Sequence, residues 1–160
     1  MSNRVELTVP VDVNAPAEAV WRTVTDWPGQ GEWMLGTRVE VTSGGDGREL
    51  GATLRAVTGI GPLGVVDTMD VVEWEVPQGN GPRRCVVRHT GKIVKGDGVF
   101  EVQELGPERS RFLWTERLDL PLGVLGRTGW PLVRPVFRAG VAASLRKMAQ
   151  LCEREHRRSG

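Results

Sequence analysis

The chain has no tyrosine, only two histidines and only two cysteines among its 160 residues, and each shortage removes a class of function. Without phenols, an aromatic-lined interior is poor in ring hydroxyl donors, which favours an apolar ligand over a sugar-like one. His89 and His156 are far apart, and Cys85 and Cys152 have no metal-ligand spacing, so neither a metal nor a cofactor is expected. Both cysteines sit within apolar patterns and read as buried free thiols rather than a disulfide. A charge imbalance is lacking too: 21 Lys and Arg against 20 Asp and Glu leave a net +1. That gives no field to steer nucleic acid. No apolar run approaches a membrane span, and Met1-Ser-Asn-Arg-Val-Glu lacks the apolar stretch of a signal peptide. The expectation is a cytoplasmic protein, a monomer or homodimer, with no nucleic-acid partner and no membrane insertion.

What is present is ordinary globular material, 39% hydrophobic and 26% charged. The length suits one domain over 1–160. Arg4 to Val13 alternates, with Val5, Leu7, Val9, Val11 and Val13 on one face, and predicts a half-buried strand. Pro16 suits the first turn of a helix carrying Val20, Trp21 and Val24. Pro28 and Gly29 break it, and a second short turn is expected to hold Trp33 and Met34. Six strands follow at Thr37–Ser43, Glu49–Thr58, Val65–Val76, Arg84–Thr90, Val99–Leu105 and Arg111–Leu118. From about Trp130 a long helix is predicted, its apolar stripe formed by Val133, Val136, Phe137, Val141, Leu145, Met148 and Cys152. Sequential hairpins make the sheet antiparallel, with the helix on its concave face.

The glycine-rich connections are turns. Gly59-Ile-Gly-Pro-Leu-Gly fits a G-x-G-x-x-G pattern literally, but a β-branched run follows it where a phosphate site requires a helix. Gly44-Gly-Asp-Gly lacks the Lys and Ser/Thr of a phosphate-binding loop. No serine sits at a nucleophile elbow.

Period-two alternation assigns the inward faces. On the last strand Phe112, Trp114, Glu116 and Leu118 share the more apolar face. One strand presents Cys85, Val87 and His89 together, and the strand before it Asp70, Val72, Trp74 and Val76. Asp70, His89 and Glu116 therefore stand as the candidate catalytic trio. An unpaired buried polar group costs roughly 2–7 kcal/mol, so these three imply a water-containing cavity or a mutual network. Strand-end solvation, or pairing with Arg55 or Arg88, are the structural alternatives. The candidate ligand-binding set is Trp33, Met34, Val72, Trp74, Val87, His89, Phe100, Trp114, Glu116, Val133, Phe137 and Val141. Trp21, Trp27 and Trp130 read as packing residues.

Several strings, in order, resemble the SRPBCC superfamily, the helix-grip fold of START lipid-transfer domains, birch-pollen-type allergens and polyketide cyclases. They are Val11-Asp-Val-Asn-Ala-Pro-Ala-Glu-Ala-Val-Trp, Thr25-Asp-Trp, Val76-Pro, Pro82-Arg-Arg-Cys, Gly98-Val-Phe-Glu-Val, Arg111-Phe-Leu-Trp-Thr-Glu and Leu145-Arg-Lys-Met-Ala. The bacterial polyketide cyclase/dehydrase or lipid-transport-like branch is the nearest in pattern. The resemblance implies a seven-stranded antiparallel sheet wrapped around a long C-terminal helix, with two short helices after the first strand. No string matches a catalytic set, so no catalytic residue is carried over. Three functions fit: binding a hydrophobic lipid, polyketide or aromatic metabolite between sheet and helix; cyclase/dehydrase-type catalysis in the same space; or a protein-binding stress or toxin-partner module whose cavity is vestigial.

Overall fold

In the computed structural model, which describes residues 3–59 and 61–160, seven strands form one antiparallel sheet in the order β1-β7-β6-β5-β4-β3-β2. They are β1 (Arg4–Val13), β2 (Thr37–Ser43), β3 (Thr53–Thr58), β4 (Val65–Glu75), β5 (Arg83–His89), β6 (Gly96–Gly106) and β7 (Arg109–Asp119). Helix α1 (Ala17–Val24) and a short 3-10 turn (Pro28–Glu32) follow β1, and helix α2 (Val124–Ser159) ends the chain. The helix-grip fold is thus present. Met1, Ser2 and Ile60 lie outside the described residues, and with them parts of the N-terminal and Gly59–Gly64 expectations. What is described of that loop, a single 3-10 turn at Gly61–Leu63 leading into β4, starts no α-helix. Trp33 and Met34 follow the Pro28–Glu32 turn rather than lying within it.

One end of the concave face is solid. Val20 and Val24 of α1, Val13, Val102 and Phe112 of the sheet, and Leu145, Met148 and Cys152 of α2 belong to one core there, all at most 2% exposed. The Glu153 carboxylate accepts from the Asn14 amide at 2.9 Å, fixing that half of α2 against the end of β1. Further up, Arg138 donates to the Thr8 carbonyl at 3.0 Å, beside the edge strand.

The other half of α2 departs from the sequence expectation. The helix starts at Val124, ahead of Trp130, and carries Pro131 and Pro135 internally. Each proline removes one amide donor from the helix ladder. This segment is largely solvent-facing, where water can satisfy the freed carbonyls. Val133 (55% exposed) and Val136 are therefore not part of the buried stripe, which begins with half-buried Phe137 and becomes solid at Val141. Glu49–Ala52 also differs, forming a turn before β3 instead of its first residues.

Candidate functional site

Because α2 grips only one end of the sheet, a hollow remains over the other. Its volume is about 400 Å³, within the ~300–1,000 Å³ range of small-molecule sites. Phe137, Gly140, Val141 and Ser144 of α2 form the roof. Val39, Ala56, Met69, Val87, Phe100 and Trp114 form much of the floor, with Met34, Leu35 and Trp27 closing one side. Leu35 is held there by its amide, which donates to Ser144 Oγ at 3.1 Å.

A charged group lies in this apolar wall. His89 Nδ1 is 2.6 Å from Asp67 Oδ2 and Nε2 is 3.3 Å from Glu116 Oε2, while the Trp114 indole donates to Glu116 Oε1 at 2.6 Å. The three side chains are only 8–13% exposed. Ionised carboxylates only accept, so both ring nitrogens are fixed as donors. Burial, the largest single influence on His89, opposes its charge. Hydrogen bonds to Asp67 and Glu116 and their negative charges together outweigh it, raising the pKa from 6.5 to about 10. At neutral pH the ring is an imidazolium.

Geometry explains how groups on three strands meet. His89 faces Gly96 of β6, and Gly98 of β6 faces Glu116 of β7. Without side chains on β6 at these points, His89 and Glu116 reach each other across it. A Cβ on Gly98 would stand 3.3 Å from Glu116 Oε1, and one on Gly96, where φ is +121°, would lie on the Arg117 carbonyl oxygen. Only glycine fits at Gly96.

Asp70 does not join the trio. It pairs with Arg88, whereas Met69 pairs with His89. The cause is a β-bulge between Val71 and Glu73. Ahead of it Asp67, Met69 and Val71 face inward; past it the inward residue is Trp74, so counting back from Trp74 by twos assigns the wrong face. Val72 is the extra residue of the bulge and does not line the hollow. The doublet Val71-Val72, which interrupts the alternation, was the available signal.

Of the other candidates, Met34, Val87, His89, Phe100, Trp114, Glu116, Phe137 and Val141 line the hollow. Trp33 is buried behind it, edge-on to Trp114 at 6.2 Å. Trp74 packs on Trp21 at 5.1 Å, under α1 at the solid end. Val133 faces solvent on α2. Trp27, read as a packing residue, instead lines the hollow while its indole donates to the Gly47 carbonyl at 3.0 Å. Cys85 and Cys152 are buried and free. No His/Cys/Asp/Glu group suited to a metal occurs among the described residues, and no described helix is long and apolar enough to cross a membrane.

A curved antiparallel sheet gripping a long helix, with a hollow between them, defines the helix-grip class. The chain belongs to the family described as polyketide cyclase / dehydrase and lipid transport, a model of which matches residues 4–153. Among solved structures it is similar to the ZhuI aromatase/cyclase from Streptomyces sp. R1128 (20% identity, TM-score 0.73, 98% of each chain covered). It is also similar to a START superfamily protein from Mycobacterium smegmatis (19%, TM-score 0.65, 97% of this chain and 99% of that one). A norcoclaurine synthase point mutant from Thalictrum is similar as well (16%, TM-score 0.64, 97% and 98%). At these identities the likeness establishes the fold alone. A search of curated proteins finds no match.

Proposed function

We propose that the chain binds a hydrophobic small molecule in the hollow between the sheet and α2. The observation that carries this reading is an apolar space of about 400 Å³ left beside a fully packed core. Interiors close-pack wherever side chains can reach, so a space of this size lined by Met34, Phe100, Trp114 and Phe137 suits an aromatic or aliphatic guest. Native mass spectrometry of the protein from its own host tests the reading by revealing a co-purifying mass. Titration with an apolar dye, fatty alcohols and flavonoids tests it in parallel. No bound mass and no saturable response would favour the protein-binding alternative.

Catalysis of the cyclase/dehydrase type has one observation in its favour, a buried acid–imidazole–acid group on the wall of the same space. His89 is protonated at neutral pH and both its N–H bonds are engaged. It is therefore poorly suited to remove a proton and better suited to hold the two carboxylates in place. Binding is the reading favoured here, with the triad as its polar end.

A further inference from the structure

We infer that the ligand carries a hydrogen-bond donor or a positive charge at the end that meets Asp67, His89 and Glu116, and that carboxylate-headed molecules are rejected. The inference rests on the reading of the hollow as a ligand site and specifies which chemistry it accepts. Two carboxyl groups supply four oxygens there. The N–H groups directed at them are the two of His89 and the indole of Trp114. Asp67 Oδ1 lacks a hydrogen-bond partner but is sealed from the hollow; Asp67 Oδ2 and the two Glu116 oxygens each accept one N–H of the two that a carboxylate oxygen can take. This end is thus short of donors and has acceptor capacity to spare, which a guest hydroxyl, phenol or ammonium can fill.

Charge points the same way. One imidazolium balances one carboxylate and not two. Among the described residues, no lysine or arginine lines the hollow; Arg88, on the same strand, pairs with Asp97 on the outer face. A carboxylate guest would find its nearest cation already shared between two carboxylates, in apolar surroundings where like charges repel strongly. Among the lining hydroxyls, Ser144 Oγ on the α2 side accepts from the Leu35 amide. Thr37 and Thr58, also on the lining, are hydrogen-bonded to each other at 3.0 Å.

Matched ligands on one ring system isolate the head group: naphthalene, 2-naphthol, 2-naphthylmethylamine and 2-naphthoate, titrated calorimetrically at neutral pH. The naphthol or the amine should bind at least about tenfold more tightly than the naphthoate, the scale of one charge-assisted hydrogen bond against a repulsion. Glu116→Gln and, separately, Asp67→Asn should each shrink that ratio several-fold, with circular dichroism confirming the fold. Naphthoate binding as well as or better than the donor-bearing ligands would overturn the inference while leaving the hollow a binding site. If all four fail to bind, naphthalene included, the binding reading beneath the inference falls with it. The wild-type comparison decides the matter even if neither variant folds.

Discussion

His89 on β5 and Glu116 on β7 are separated by an entire strand, yet His89 Nε2 and Glu116 Oε2 stand 3.3 Å apart over Gly96 and Gly98. The relationship depends on glycine between them. A Cβ on Gly98 would lie 3.1 Å from Val87 Cγ2 and 3.3 Å from Glu116 Oε1. Gly98→Val should therefore push Glu116 away from the ring, lower the His89 pKa seen by NMR titration, and cost about 1–3 kcal/mol through overpacking. An unchanged His89 titration would show that the pair does not need the bare strand.

The triad makes stability pH-dependent in a defined direction. The folded pKa of His89 is raised, from 6.5 to about 10. Its contribution is complete below about pH 6.5 and is lost as pH rises through about 10. Urea midpoints of wild type and His89→Gln should differ most near the lower limit and converge toward the upper one. A constant gap across that window would contradict the assignment.

Along α2, burial rather than hydrophobicity decides what each side chain is worth. Leu145 is 1% exposed and Leu132 80%. Leu145→Ala should cost about 2–5 kcal/mol by leaving a cavity. Leu132→Ala and Lys147→Ala should fall within about 0.5 kcal/mol of wild type. Equal denaturant midpoints for the two leucine variants would contradict this placement.

Gly140 lines the hollow, and a Cβ there meets nothing within 4 Å. Gly140→Leu should occupy guest space and abolish binding of an apolar dye. Stability should hold or rise, since glycine in a helix interior costs about 1 kcal/mol relative to better helix formers. Dye binding at wild-type affinity would place the guest elsewhere.

Burial, followed by the charge of Glu73, pushes the Cys85 thiol up to about 12; burial chiefly raises Cys152 as well. Neither thiol should react with an alkylating reagent near neutral pH until urea unfolds the chain, when mass spectrometry should count two adducts. Rapid native labelling would show that the α2–sheet contact opens.

The sequence by itself determined the sheet, the meander and the grip of the last helix, because strand alternation and helical periodicity are local and repeat many times. It also placed His89 and Glu116 inward, since no irregularity lies on β5 or β7 between those residues and their apolar neighbours. Only the tertiary structure decided the third member of the group. One extra residue at Val72 flips the face of everything before it, exchanging Asp70 for Asp67. Likewise Val133 and Val136 belong to the helical stripe by spacing and yet stay exposed, because a stripe is buried only where another element stands opposite it. The space that this leaves beside Phe137 and Val141 depends on how far α2 reaches over the sheet, a distance no local pattern encodes.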